Sequence, residues 1–356
     1  MTALFGDGFD HYTTMTQAVA GKWNSYTVLG NNVSMAISAG NGRNSTASLR
    51  ATHTGNGNAN SGAELSKTLP ASIATGGCRS SFKTSAFPTA GTVVIYRFRD
   101  TGTTHVDFRL TTAGTIQATR NGTVLDTTTF AISTGVTYHF EIKVTIDDTV
   151  GRVGLKINGV QRLDDGTNRD TRNGANATFN EIVLILQVTN SSQPAQTIDF
   201  DDFTAWNTSG TKNNDYMGDR SCKTLYPNAD GFTTQFAVTG AATDWEATDE
   251  TTPDDDTTYI SDAVVGEKTT MGYTNLAVTT GTVDFIQTNP WVKKDDAGAK
   301  TGAIVIRSGG ADTDGVTFSP GTSYAYIPQV VELDPNGAID WTPTNVNALE
   351  SGPKVV

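Results

Sequence analysis

The run "TYHFEIKVTID", Thr137 to Asp147, is the stretch that decides the fold. Apolar side chains occupy every second position from Tyr138 to Ile146. A period of two is typical of a β-strand with one face on a core and one face towards solvent. The next run, "GRVGLKINGV", repeats the alternation and ends on Asn158 and Gly159, a strong signal for a β-hairpin turn.

Similar strand patterns extend outward from this pair in both directions. The chain before it reads as short alternating pieces: "NVSMAIS", "ASLRA", "AELSKTL", "CRSSFKTSAF", "VVIYRFR", "THVDFRL", "GTIQATRNG" and "TVLDTTTF". After it, "EIVLILQV" (Glu181 to Val188) is continuously apolar, which suits a strand that is buried on both faces. Because the turns between these pieces are short, we predict an all-β, antiparallel sandwich.

A change in composition predicts the domain organisation. The 356 residues exceed one ordinary domain, and the segment "NTSGTKNND" is small, polar and without periodicity. We therefore predict a first domain over 1–207, a linker over 208–215 and a smaller β-sandwich over 216–356. Strand-like pieces such as "AIVIRSGG" and "SYAYIPQVVEL" belong to the second domain, with one helical turn near Val346 to Leu349.

Charge is distributed unequally between the two parts. Residues 1–207 hold 16 acidic and 16 basic side chains, whereas residues 208–356 hold 21 and 9. A net negative surface repels nucleic acid and anionic lipid, so we expect neither as a partner. No apolar stretch has the length of a membrane span, and the first residues lack the pattern of a secretory signal, so we also expect no export.

The acidic stretch "TIDFDDFTAWN", Thr197 to Asn207, raises the question of a metal site. The alternation predicts Ile198 and Phe200 in the core and Asp199 and Asp201 on the outward face, with Asp202 capping the turn that leaves the domain. A calcium contribution is the alternative. Calcium needs several oxygen ligands from converging loops, and "DDGTNRD" is the other acidic loop in this domain. The candidate ligands are Asp201, Asp202, Asp164 and Asp165.

The sequence gives little indication of a catalytic, phosphate-binding or zinc site. The sequence lacks a strand with paired catalytic carboxylates, a nucleophile elbow, a P-loop and the spacing of a zinc site. Asp107 lies beside an arginine, which fits an outward ion pair, and Cys78 and Cys222 are interpreted as two free thiols. We therefore predict no catalytic residue, no enzymatic activity and, apart from the calcium alternative, no cofactor. Sugar rings stack on aromatic side chains, and the candidates for such contacts are Tyr96, Trp23 and Tyr26.

The strand series resembles a known fold family. The run from "GTIQATRNG" through "TYHFEIKVTI" and "GRVGLKINGV" to "IDFDDFTAW" is similar to the concanavalin A-like, laminin-G-like jelly roll, over about Phe5 to Trp206. Three later segments resemble a region of virion structural proteins of tailed bacteriophages: "NNDYMGDRSCKTLYPNADG", "KKDDAGAKTGAIVIRSGG" and "GTSYAYIPQVVELDPNGAIDWTPTNVNALESGPKVV".

This resemblance implies a function and a set of partners. The leading hypothesis is a non-enzymatic virion protein that decorates or cements the capsid surface, as a decoration protein or head fibre. It would be made in the host cytoplasm and located at the virion surface. Its partners would be the major capsid protein or tail components, and it would form a homo-oligomer, with a trimer favoured. The alternatives are a tail-appendage adhesin that binds a host glycan through the jelly roll, and a polysaccharide hydrolase.

Overall fold

A computed structural model describes residues 3–356, apart from the side chain of Ser45. The chain divides into two compact units. The first comprises the residues up to Val19 and those from Trp23 to Cys222, and the second comprises Ala20–Lys22 and Lys223–Val356. The segment 208–215, predicted as a linker, lies within the first unit.

The first unit consists almost entirely of strands. Within the described residues these are β1 (Ala3–Asp7), β2 (Ser25–Leu29), β3 (Val33–Ser38), β4 (Ser48–Thr54), β5 (Gly62–Ile73), β6 (Thr75–Thr84), β7 (Thr92–Asp100), β8 (Thr103–Thr111), β9 (Ile116–Arg120), β10 (Thr123–Thr127), β11 (Tyr138–Thr145), β12 (Arg152–Ile157), β13 (Val160–Leu163), β14 (Phe179–Val188) and β15 (Ala195–Asn207). A helix α1 (Met15–Val19) and a 3₁₀ turn (Arg43–Ser45) interrupt them.

These strands form two antiparallel sheets. The eight-stranded sheet has the order β13-β12-β11-β6-β15-β4-β3, and β1 pairs with the end of β15. The seven-stranded sheet has the order β10-β9-β8-β7-β14-β5-β2. The two sheets form the predicted concanavalin A-like jelly roll, so the predicted fold class is confirmed.

The core between the sheets is built from the alternating apolar positions. On β11, Phe140 and Ile142 are buried, and Phe140 stacks on Phe82 of β6 with ring centroids 4.8 Å apart. Tyr96 of the opposite sheet meets Phe200 of β15 edge to face at 5.5 Å. Aromatic pairs at these distances stabilise a core beyond the area that they bury.

Strand β15 confirms one part of the prediction for the acidic stretch and corrects another. Ile198 and Phe200 lie in the core. Asp202, however, does not cap a turn that leaves the domain, because the strand continues to Asn207. Asp202 has a positive φ of 53° at an irregularity in the pairing with β6, where an extra residue shifts the register of the strand.

The second unit is smaller and is also built from antiparallel strands. Its elements are β16 (Pro227–Thr234), β17 (Ala237–Thr239), β18 (Tyr259–Ser261), β19 (Thr269–Tyr273), β20 (Ile286–Thr288), β21 (Trp291–Val292), β22 (Gly302–Ser308), β23 (Ala311–Asp314), β24 (Ala325–Tyr326), β25 (Gln329–Val331), β26 (Leu333–Asp334), β27 (Ile339–Asp340), α2 (Pro343–Asn347) and β28 (Glu350–Val355). Helix α2 begins before the predicted helical turn because Thr342 caps it, accepting a hydrogen bond from the amide of Asn345.

One five-stranded sheet, β16-β19-β28-β22-β23, organises this second unit. Ile304 and Ile306 of β22 pack with Trp341 and Val346 in a buried cluster, and Ile286 of the ribbon β20-β25 packs against it. The ribbon and α2 therefore supply the second apolar layer. None of the described helices is long and apolar enough to span a membrane.

A glycine in β6 gives a test of the central strand pairing. A Cβ atom added at Gly77 would lie 1.8 Å from the carbonyl oxygen of Ile142 and 3.0 Å from the ring of Trp206. We expect Gly77→Ala to lower the free energy of unfolding by about 3 kcal/mol, because β11 must move away. The measurement is chemical denaturation followed by tryptophan fluorescence.

Gly159→Ala is the matched control for this substitution. Gly159 has a φ of 77°, but no atom lies within 4 Å of the added Cβ. Gly159→Ala should therefore lower the free energy of unfolding only by the backbone strain of about 1 kcal/mol. Equal losses in the two variants would contradict a steric role for Gly77.

Candidate functional site

The outward face of the seven-stranded sheet carries a set of charged side chains. Along β7, Tyr96 and Phe98 point into the core, so the alternation directs Arg97 and Arg99 to the opposite face. Neighbouring strands add charged and amide groups on the same face. We name the whole set the arginine–carboxylate array; its members are Glu64, Arg97, Arg99, Asp107, Arg109, Glu181 and Gln187.

Arg97 and Asp107 lie at the centre of the array. Arg97 donates from Nε to Oδ1 of Asp107 at 2.7 Å and from Nη2 to Oε1 of Gln187 at 2.8 Å. Arg109 donates to the other oxygen of Asp107 at 2.9 Å. This geometry confirms the outward ion pair predicted for Asp107, and it joins strands β7, β8 and β14.

Arg99 extends the array to the other side. Its two terminal nitrogens donate to the two oxygens of Glu64 on β5, at 3.0 and 2.6 Å. The carboxylate of Glu181 on β14 lies 3.7 Å from Arg99. Two-point contacts between planar groups fix both side chains, so the array presents a rigid surface.

The array is largely shielded but reaches solvent. The arginine side chains retain 11 to 18% of their accessible surface. A buried apolar cluster of Val94, Val183 and Ile185 lies on the same sheet. Side chains held among buried neighbours need little reorganisation to bind, and hydrogen bonds to them are strengthened by the low local dielectric constant.

Burial corrects the predicted sugar-stacking role for two of the three aromatic residues, Tyr96 and Trp23. Tyr96 is fully buried and its hydroxyl forms a 2.6 Å hydrogen bond with Ser80. Trp23 is 1% exposed, and its indole nitrogen donates to Asp7 at 2.8 Å. Neither ring has a free face for a sugar. Tyr26 is half-buried on the edge strand β2, where its hydroxyl accepts a hydrogen bond from the amide of Met35.

The predicted calcium ligands are not brought together either. Asp201 and Asp202 lie on β15, whereas Asp164 and Asp165 follow β13, and strands β6, β11 and β12 separate the two pairs. Asp164 is occupied by its own loop, accepting from the amide of Gly166, and Asp165 pairs with Lys143. No group of three or more histidine, cysteine or acidic residues suitable for a metal ion occurs among the described residues.

Residues 208–222 form the feature that sequence reasoning missed. They pack over the outward face of the eight-stranded sheet, where the amide of Gly218 donates to Glu141 at 2.7 Å and the amide of Cys222 donates to Asp202 at 2.7 Å. We name 208–222 the covering segment. Its polar composition, which suggested a linker, instead matches the polar face beneath it. Cys222 and Cys78 are both free thiols, as predicted.

Two titratable groups lie under or beside the covering segment. Burial and the neighbouring Asp202 raise the pKa of Asp201 to about 7. Burial lowers the pKa of His139 to about 4, although the carboxylate of Asp219, 3.6 Å away, acts in the opposite direction. Asp201 accepts hydrogen bonds from the amide of Arg43 at 2.8 Å and from the hydroxyl of Thr46 at 3.1 Å.

Comparison with known proteins gives structural similarity only. No family model matches the sequence, and no curated protein matches it. Among solved structures, alginate lyase AlgAT5 from polysaccharide lyase family 7 is 12% identical, with a TM-score of 0.36, over 48% of this chain and 81% of that one. Alginate lyase PA1167 from Pseudomonas aeruginosa is 17% identical, with a TM-score of 0.33, over 44% and 82%. The carbohydrate-binding module CBM66 from Bacillus subtilis is 12% identical, with a TM-score of 0.31, over 51% and 95%.

These findings correct two predictions from the sequence. The similar structures are polysaccharide lyases and a carbohydrate-binding module, which contradicts the predicted capsid-decorating or capsid-cementing role and the predicted absence of enzymatic activity. At these identities the similarity concerns the fold, and no activity is transferred to this chain from it.

The raised pKa of Asp201 predicts a pH dependence of stability. The pKa of Asp201 is higher in the folded than in the unfolded chain. Its contribution to the free energy of unfolding is therefore complete at acid pH and is lost as the pH rises from about 4 to about 7. Asp201→Asn should remove this loss. The wild type should therefore lose stability relative to the variant across that window, by at most about 1.4 kcal/mol per pH unit. Urea unfolding at several pH values measures the difference.

Asp164→Asn provides the contrasting control. A hydrogen bond from the amide of Gly166 and another from Thr167 lower the pKa of Asp164, so its contribution is lost only when the pH falls below the usual range of a carboxyl. If the free energies of unfolding of the wild type and of Asp201→Asn changed in parallel between pH 4 and 7, the pKa of Asp201 would not be raised.

Proposed function

We propose that the jelly roll is a carbohydrate-binding unit that contacts glycan hydroxyl groups through the arginine–carboxylate array. The observation that carries the proposal is the continuous set of hydrogen bonds across β5, β14, β7 and β8, which reaches solvent on one sheet face. A host glycan, one of the partners expected from the sequence, is a ligand of this class.

The chemistry of the array suits hydroxyl groups. A sugar hydroxyl both donates and accepts, so a glycan site needs both kinds of partner close together. Arginine supplies several donors in a fixed plane, and Glu64 and Asp107 supply acceptors beside them. Gln187 adds an amide with both functions.

The charge balance indicates which glycans fit. The array contains three arginines and three carboxylates, and each arginine lies within 4.0 Å of at least one carboxylate. A negatively charged sugar would have to compete with these carboxylates for the guanidinium groups. The array therefore favours neutral glycans, which it would recognise by hydrogen-bond geometry.

Stability alone is a poor reason for this arrangement. Ion pairs removed from water recover little more than their desolvation cost, and apolar residues of similar size would stabilise the sheet as well or better. Seven polar side chains on one face of a core sheet are better explained by a ligand. The bidentate pairs also hold the side chains in place before the ligand arrives.

The double variant Arg97→Gln, Arg99→Gln tests the proposal. We expect it to weaken binding to neutral glycans by about tenfold or more, because hydrogen bonds from charged groups are lost. Binding is measured on a glycan array and then by calorimetry with the strongest ligand. Incubation of that ligand with the wild type, followed by product analysis, shows whether the bound chain is also cleaved.

Arg50→Gln is the matched control. Arg50 also makes a two-point ion pair, with Asp199 at 2.7 and 2.9 Å, but it lies on the other sheet. This variant should bind as the wild type does. If the wild type bound no glycan, or if the double variant remained folded and bound as tightly as the wild type, the array would not be the site.

A further inference from the structure

A groove of about 370 Å³ lies in the first unit, at one end of the eight-stranded sheet. Its lining comes from β6, from β11, β12 and the loop between them, from the loop after β13 and from the covering segment: Thr75, Lys143, Thr145, Val150, Arg152, Asp165 and Thr208. This volume falls at the lower end of the range of about 300–1,000 Å³ that is usual for small-molecule sites.

Arg152 distinguishes the groove from the rest of the surface. Its side chain is exposed and forms no hydrogen bond and no ion pair among the described residues, although the carboxylate of Asp164 interacts with it electrostatically. By contrast, Arg97, Arg99 and Arg50 each engage a carboxylate at two points or share one with a neighbour. A free guanidinium in a groove offers a planar set of donors for an oxyanion.

The second cation of the groove is already occupied. Lys143 lies 3.3 Å from a carboxylate oxygen of Asp165 and 2.9 Å from one of Asp215. Lys156, nearby, places its ammonium 4.0 Å from the centre of the Tyr216 ring. These contacts hold Lys143 in the groove wall and leave Arg152 as the group available to a negative charge.

Three threonine hydroxyls give the groove a neutral polar side. The hydroxyls of Thr75 and Thr145 lie 3.0 Å apart and share one hydrogen bond, so one of them can still donate. The hydroxyl of Thr208 donates to the carbonyl of Thr75 at 3.2 Å, which leaves its lone pairs free to accept. Val150, half exposed, adds a small apolar lip.

We propose that this groove is a second binding site, for an acidic sugar. Arg152 would bind the carboxylate, the threonine hydroxyls and Asp165 would contact the ring hydroxyls, and Val150 would pack against the C–H groups of the ring. The site lies on the eight-stranded sheet and shares no residue with the array on the seven-stranded sheet. It therefore does not depend on the function proposed for the array.

The test is a nuclear magnetic resonance titration of the ¹⁵N-labelled full chain with D-glucuronate, D-glucose and inorganic sulfate as probes. Glucuronate should shift the amide signals of Thr75, Thr145 and Arg152 in a saturable way, and glucose should not. Arg152→Gln should weaken glucuronate binding by about tenfold or more, because a charge-assisted hydrogen bond is lost.

Control variants separate this site from the array. Arg50→Gln and the double variant Arg97→Gln, Arg99→Gln should both bind glucuronate as the wild type does. The proposal is overturned if glucuronate produces no saturable shifts, if Arg152→Gln binds it unchanged, or if glucose produces the same shifts. If sulfate produces the same amide shifts as glucuronate and binds with the same affinity, the site recognises only the oxyanion, and the assignment to a sugar is wrong.

Discussion

The pairing of β11 with β6, and of β6 with β15, is the constraint on which the first unit depends. These strands form the middle of the eight-stranded sheet, and they approach so closely that Gly77 has no room for a methyl group. On the inner side they carry Phe82, Phe140 and Phe200, which join the aromatic core. On the outer side they carry polar groups that solvent scarcely reaches.

This double burial explains the covering segment. His139 and Glu141 alternate with core residues and would face water in an uncovered sheet, yet both are buried. The covering segment supplies their neighbours: the amide of Gly218 donates a hydrogen bond to Glu141, and the carboxylate of Asp219 lies 3.6 Å from His139, whose ring nitrogens form no hydrogen bond among the described residues. A buried carboxylate without such a partner would be strongly destabilising. The outer face of this sheet is thus partly closed by the chain, and the groove remains beside the closed part.

Alternation made much of the fold predictable, because the side-chain period of a strand decides which residues face the core. "TYHFEIKVTID" predicted its strand and its core face, and Ile198 and Phe200 followed the same rule. The same rule applied to "VVIYRFR" places Tyr96 in the core and Arg97 and Arg99 outside. Applied strictly, it would have excluded Tyr96 as a sugar-stacking residue and identified part of the array. Asp107 was the member of the array that the sequence did indicate.

The remaining features depend on contacts between residues distant in sequence, which no local pattern contains. Arg99 meets Glu64, 35 positions earlier, and Arg43 meets Asp201, 158 positions later. Polar composition in 208–215 is equally compatible with a free linker and with a segment that lies on a polar sheet, and only the partner surface distinguishes the two. The same applies to Arg152, whose lack of an ion-pair partner is visible only when every neighbouring strand is in place.

The two proposed sites differ in chemistry because their strands are covered differently. Across the seven-stranded sheet, four neighbouring strands each contribute charged side chains, so cations and anions neutralise one another and leave a geometry suited to hydroxyl groups. At the end of the eight-stranded sheet, the covering segment and the loop after β13 bring Asp215 and Asp165 to Lys143. The guanidinium of Arg152 forms no ion pair among the described residues, although Asp164 interacts with it electrostatically. The guanidinium of Arg152 therefore remains available to an anion that enters the groove. The array and the groove would thus bind different sugars of one glycan, or different glycans, without competing.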